Sequence, residues 1–532
     1  MLKYLKKSSV YKFLLGHLEL ISLSFGSLIV SIWTMVVFFV KPSTFDLVGQ
    51  QLLSRQWANG FHSGAVVGPT NYILKIIFLY MPLNHLPGSP RLKLVLLTLA
   101  LNIITYILLV FIIRNLYKIF FKNLSNKFYL AAIWLATIAG SMYWINYSNS
   151  RNIEIIGGLY LVYLGLKLNK TTKTLTYILI AGLSGLVFFA DPLQFYMSAI
   201  PLIIYLGGKF LFSARTKSEF LAVFKLVVSV FFGYLLSKFL SYLSRKIFGV
   251  KFIALTTHAK GYTITQTIAH GILPSFKHIA QLYTAGYQLG RFIEVLNVCF
   301  TIFIVLVGLY YAFKKLLPTK FSWFVAVFWI VNMAFYIISG QALQTGTERY
   351  LIMTIPVLIL LLLAVVQIKH KLRPVIIWLI GVVIILNFIA LINSLKINWD
   401  PGFSKDNHDN SAIKFMETGG YSYGYSGMYT GLPSDYLSNG NVKLLPLSCN
   451  PGGVLSTSYL FFDASYYKYT ALGAQKYVPI ILDGDQINNL PNICTKLDIV
   501  NQFGNYSSST KLSDGSTVLI YQTNKIQTVL GF

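Results

Sequence analysis

The chain has 532 residues, 55% hydrophobic and 15% aromatic, with only 11% charged, a mean hydropathy of +0.62 and a formal net charge of +27. Repeated runs near 20 residues with almost no charge exclude a string of soluble domains, because a helix crosses the hydrocarbon core in about 20 residues. The charge excludes a nucleic-acid surface, since the basic residues sit in short breaks between apolar runs, as cytoplasmic loops beside anionic lipid do.

The first element is an apolar run over about 17–40, preceded by Lys3, Lys6, Lys7 and Lys12. It is long for a signal peptide and has no small-residue cleavage site, so it reads as a retained signal anchor. Ten further spans follow, at about 94–113, 128–146, 152–167, 175–190, 195–213, 221–240, 291–313, 321–340, 350–367 and 374–395. With the N-terminus inside, every inner segment holds at least three basic residues, from Arg114, Lys118, Lys122 and Lys127 to Lys369, Lys371 and Arg373. The expected fold is a polytopic α-helical membrane protein of about 11 transmembrane helices in an inner (plasma) membrane, N-terminus cytoplasmic. Its domains are a membrane domain over 1–396, with outer loops 41–93 and 241–290, and an extracytoplasmic domain over 397–532.

The first outer loop contains PSTFDLVGQQLLSRQW and then NYILKIIFLYMPL, whose Lys75 and short length suggest a helix at the interface rather than a span. Pro42 and Ser43 can stop one helix, and Ser43 or Thr44 can cap the next. Asp46 then has two readings: an acid in a helix first turn, favoured by the dipole, or a general base near the membrane surface. It is one of seven acids before residue 400, with Glu19, Glu154, Asp191, Glu219, Glu294 and Glu348. Acids are costly at membrane depth and mark a function or a partner; Glu154, Asp191 and Glu348 also fall at or near outer helix ends, a gathering that suggests an outward-facing site. The last 133 residues hold the other ten acids and eight Lys. They are rich in Gly, Ser, Asn and Tyr, with strand patterns NVKLLPL and STVLIYQ, and read as a small α/β domain.

Cys299, inside an apolar run, is expected to be a buried small hydrophobe. Cys449 and Cys494 both lie in the tail, where an extracytoplasmic location permits a disulfide. His62, His258, His270 and His278 fall on outer loops without a metal-ligand spacing. His258 with Lys260, or Lys277 with His278, could line a lipid-phosphate path. Tyr421, Tyr423 and Tyr425 could stack on a sugar face or pack inside the tail.

The succession of an apolar helix, Asp46, a helix of small and amphipathic residues and GPTNYILKIIF resembles the GT-C superfamily of glycosyltransferases, and most of all the branch of protein mannosyltransferases and aminoarabinose transferases. YSNSRNIEIIGGLYLVYLGL, QTGTERYLIMTIPVLILLLL and GGYSYGYSGMYTGLPSDYLSNGNVKLLPL resemble later parts of that architecture. The resemblance implies a GT-C-like fold with outer juxtamembrane helices and Asp46 as catalytic carboxylate. It implies a polyprenyl-phosphate-linked sugar donor and a lipid, glycan or protein acceptor on the outer face. The family's paired acid is absent, since Leu47 follows Asp46, and so are WWDxG and a DxD metal motif. No cofactor is therefore expected, a divalent metal staying open, and the acceptor is left open too. For the departing lipid phosphate, Arg349, Arg151 and Arg55 are the candidate cations, because a guanidinium holds phosphate oxygens bidentately. Each could instead be an interfacial Arg reaching toward headgroups. Glu154, Asp191, Glu348, His62 and His258 are candidate substrate-site residues. A flippase or transporter of a lipid-linked glycan is the alternative class, and a glycan polymerase or ligase a third; mid-membrane charges in repeated halves would mark the transporter.

Overall fold

In a computed structural model the described residues are 17–40, 45–60, 65–67, 73–121, 152–168, 172–212, 217–252, 263–284, 291–343, 351–368, 370–398, 408–449, 455–457, 462–463, 475–482, 494–513 and 515–523. The chain divides into two compact units: Met1–Val36 with Thr98–Leu240 and Thr256–Ile397, and Val37–Leu97 with Ser241–Leu255 and Asn398–Phe532.

Helices α1 (Leu18–Val40) and α2 (Phe45–Ala58) are followed by strand β1 (Ala65–Val67). Next come α3 (Ile73–Asn84), which contains a π-helical stretch over Ile76–Tyr80, and the 31-residue α4 (Pro90–Phe120). Helices α5 (Asn152–Leu166) and α6 (Thr174–Ala190) are succeeded by α7 (Ile200–Phe212), which is entered through a π-helical turn at Phe195–Ala199. The rest of the helical unit is α8 (Lys217–Phe248), α9 (Ile264–Thr284), α10 (Arg291–Phe313), α11 (Thr319–Ile338), α12 (Thr354–Gln367) and α13 (Arg373–Asn398). Among the described residues, four helices are long and apolar enough to cross a membrane: Leu92–Phe120, Glu219–Ile247, Val295–Phe313 and Thr319–Ile338. Shorter apolar helices occupy most of the other expected spans, whereas 128–146 lies outside the described residues.

The helical unit buries one apolar core, with Ile155, Ile180, Leu202, Leu226, Tyr311, Phe321, Leu360 and Ala364 among its members. Its outer surface is apolar too. On α8, Phe220, Phe224, Phe231, Phe232 and Phe239 are each more than half exposed. A helix apolar all round suits lipid or a core, not water, so these faces place the protein in a membrane. Cys299 corrects an expectation: it is exposed on α10, not buried. The apolar run could not show which of its faces meets neighbouring helices.

The second unit is built on a six-stranded sheet. After α14 (His408–Thr418), β3 (Tyr423–Gly427) leads through α15 (Met428–Leu437) to β4 (Lys443–Cys449). β3 is parallel to β4 and to β7 (Tyr477–Leu482), with Tyr425 opposite both Leu445 and Ile480. The remaining pairs are antiparallel: β5 (Leu455–Thr457) on β4, β9 (Thr517–Gln522) on β7, and β8 (Ser508–Lys511) on β9. The expected strands NVKLLPL and STVLIYQ correspond to β4 and β9. Ala412, Met416, Val442, Leu444, Ile481, Val518 and Ile520 form a core of this domain. Cys449 and Cys494 are bonded, tying the end of β4 to the segment before α16 (Lys496–Phe503), whose start carries a capping box of Thr495 and Asp498.

A second sheet joins distant parts of the chain. β1 of the first loop pairs in parallel with β2 (Lys251–Phe252) and antiparallel with β6 (Phe462–Asp463). The unit that holds the tail thus takes in the first loop and the start of the second.

Candidate functional site

Helix α2 carries the sequence FDLVGQQLLSRQWA, too polar to span a membrane. From Gly49 to Trp57 every residue is buried except Arg55, which is partly so. A polar helix buried on all sides must have its hydrogen-bonding groups met by protein.

α15 supplies much of that. Arg55 Nη2 donates to Asp435 Oδ1 at 2.6 Å and to the Asp435 carbonyl at 3.2 Å, while Nη1 donates to the Tyr436 carbonyl at 3.3 Å. The Asp435 side chain is 0% exposed and that of Arg55 15%. The guanidinium also lies 5.7 Å from the centre of the Tyr436 ring. One turn earlier on α2, Gln51 Oε1 accepts from the Tyr436 hydroxyl at 2.5 Å. Burial pushes the Tyr436 phenol up to about 12, with Arg55 opposing the shift. Lys443 at the start of β4 is lowered by burial, Asp435 pulling against that and Arg55 adding to it.

α2 also packs on α3. Ser54 Oγ donates to the Gln51 carbonyl at 2.7 Å and accepts from Asn84 Nδ2 at 2.8 Å; Lys93 Nζ donates to the Asn84 carbonyl at 3.3 Å. Lys75, on α3, is 1% exposed.

Asp46 is the second residue of α2, in its first turn, so the helix-start placement holds for the backbone; its side chain lies outside what the structure describes. Arg151, Arg349, Glu348, His62 and His258 lie outside the described residues. Arg55 is engaged by Asp435, not held out toward solvent or headgroups.

Glu154 and Asp191 belong to the helical unit, and each is 1% exposed. Asp191 caps the C-terminus of α6. Its Oδ1 accepts from the Leu193 backbone at 3.1 Å and its Oδ2 from Gln194 Nε2 at 3.5 Å. Ser198 Oγ donates to Gln194 Oε1 at 2.9 Å. Gly158, one turn after Glu154 on α5, lets Gln194 and Ser198 approach where a Cβ would collide with both. The structure thus brings Asp191, Gln194 and Ser198 together against the helix that bears Glu154. Asn332 on α11 reaches the same turn, donating to the Met197 carbonyl at 3.3 Å.

His278 bonds the Tyr336 hydroxyl through Nδ1 at 2.5 Å and is buried, and His270 is exposed on α9. Tyr423 and Tyr425 pack edge to face at 5.3 Å within the sheet domain, and Tyr421 stacks on Phe415 at 5.9 Å. These rings serve packing. Among the described residues, no group of three His, Cys, Asp or Glu gathers as metal ligands do.

Sequence reading passed over Gln50, Gln51, Asp435 and the burial of Lys75. A lone Lys in an apolar piece was the one local signal; the pairing of Arg55 with a residue 380 positions away has none.

No family model matches the chain, and no curated protein does. Among solved structures, the crystal structure of ArnT from Cupriavidus metallidurans bound to undecaprenyl phosphate is similar over 99% of this chain and 100% of that one, at 10% identity and a TM-score of 0.43. A likeness that faint supplies nothing about the site.

Proposed function

We propose that the chain is a membrane glycosyltransferase that moves a sugar from a polyprenyl-phosphate carrier to an acceptor on the outer face. One observation supports this most. The helix that begins at Phe45 and Asp46 is enclosed by a unit built from the first loop, the start of the second and the tail. A first-turn acid needs no such enclosure for stability; a general base needs to be held.

In this reading the Asp46 carboxylate takes the proton of the acceptor hydroxyl as its oxygen attacks the anomeric carbon. The carbon–oxygen bond to the lipid phosphate breaks, the phosphate leaves with the bonding pair, and the anomeric centre inverts. Arg349 is the cation assigned to the leaving phosphate. Arg151 is the next candidate. Glu154 and Asp191 are further candidate substrate-site residues.

The test is Asp46→Asn in the full chain. Transfer from a polyprenyl-phosphate sugar should fall by at least about 100-fold, the range of a lost general base, with the melting temperature unchanged. A folded variant that transfers at the wild-type rate overturns the mechanism.

A further inference from the structure

One amide side chain of α2 leaves both its donor and its acceptor unbonded among the described residues. Gln50 is fully buried, and neither its carboxamide oxygen nor its nitrogen has a hydrogen-bond partner among the described residues. Ser54, Arg55, Asn84, Tyr436 and Ser438 have partners. Gln51 on the same helix leaves only its nitrogen open, its oxygen being taken by Tyr436, whereas Gln50 leaves both amide atoms open. Leu would fill the volume of Gln50 without stranding a donor and an acceptor, so the fold by itself gains nothing from an amide here. Position 46 lies four residues earlier, one helical turn, and therefore on the same face of α2.

We infer that Gln50 binds the sugar being transferred, its carboxamide giving one hydrogen bond to a ring hydroxyl and accepting another. A side-chain amide offers a donor and an acceptor side by side, as neighbouring hydroxyls of a sugar do. The acceptor hydroxyl gives its proton at position 46. One turn further along α2, at a residue with no exposed surface, the group to be held is the carrier-linked sugar. The inference rests on the glycosyltransferase reading.

The experiment uses the full chain in detergent, wild type and Gln50→Leu, melted alone, with undecaprenyl phosphate, and with undecaprenyl phosphate bearing glucose, mannose or arabinose. Gln50→Leu alone should melt at or above the wild-type temperature, because an unpaired buried amide is replaced by an apolar group of similar size. One of the sugar-bearing lipids should stabilise the wild type more than the bare lipid does. That excess should vanish in Gln50→Leu while the response to the bare lipid stays. A Gln50→Leu protein that melts well below wild type, or fails to fold, overturns the inference, since the amide then serves the fold. So does an excess that survives the substitution. If no sugar-bearing lipid exceeds the bare lipid even in wild type, the glycosyltransferase reading itself fails, and Gln50 with it.

Discussion

Breaking the Arg55–Asp435 pair should loosen α2 specifically. The pair is short at 2.6 Å, Asp435 is fully enclosed, and Arg55 keeps only 15% of its side-chain surface. Removing one partner of a buried pair costs about 3–5 kcal/mol, because the other charge is left in a poor solvent. The slight exposure of Arg55 and its two remaining carbonyl acceptors favour the lower end, about 3 kcal/mol for Asp435→Asn. At about 1.4 kcal/mol per tenfold, that is roughly a 100-fold rise in the population of opened α2. Hydrogen exchange of the full chain reads this directly: amides of Phe45–Ala58 and Met428–Leu437 should exchange about 100-fold faster, with Ser508–Lys511 and Thr517–Gln522 unchanged. Arg55→Met should cost more, since it also removes both carbonyl bonds and the contact with the Tyr436 ring. The apolar double variant Arg55→Met/Asp435→Leu should recover most of the loss, as well-packed apolar replacements of buried pairs do. Exchange accelerated less than about fivefold in Asp435→Asn would mean that the pair behaves as a surface bridge, and the reasoning would be wrong.

Two other outcomes follow from the same geometry. Tyr436 is held at about 12 when folded against 10.0 when exposed, so its contribution is complete below pH 10 and is lost as pH rises toward 12; stability measured across that window should decline less steeply in Tyr436→Phe. In the helical unit, Asn297 and Asn387 exchange amide hydrogen bonds, each at 3.0 Å, and both are buried. Either Asn→Leu change should lower stability in a detergent unfolding titration by about 0.6–1.7 kcal/mol, and the double change by less than the sum of the two.

What could be read from the sequence was what short-range pattern encodes. Apolar runs of membrane length mark α4, α8, α10 and α11, because length and composition alone decide them. β4 and β9 are short apolar runs bounded by polar residues, which is enough to find them, although Leu444–Leu447 and Val518–Tyr521 are buried in succession and not alternately. A bond between Cys449 and Cys494 was open from the sequence because both lie in a tail read as extracytoplasmic. The start of α2 was legible in Pro42, Ser43 and Thr44, yet its burial was not. Four of its buried side chains are Gln50, Gln51, Ser54 and Gln56, types that normally face water, and the partners of Gln51 and Arg55 come from residues some 380 positions away. The three-stranded sheet was equally hidden, since β2 and β6 have two residues each, too short for any period to show.

That same distance constrains how the unit forms. α2 is made near the start of synthesis, but Asp435 and Tyr436, which answer Arg55 and Gln51, come some 380 residues later. Until α15 is present, α2 has no partner for its guanidinium, and β1 lacks β6. A helix with so little apolar surface gains little from lying at the membrane interface by itself. The tail is therefore part of what holds position 46 in place, so a chain ending near residue 397 would lose the order of the first loop along with the sheet. A general base has to be held within a fraction of an ångström to work. On the proposed mechanism, such truncation would abolish transfer even with every residue before 397 intact.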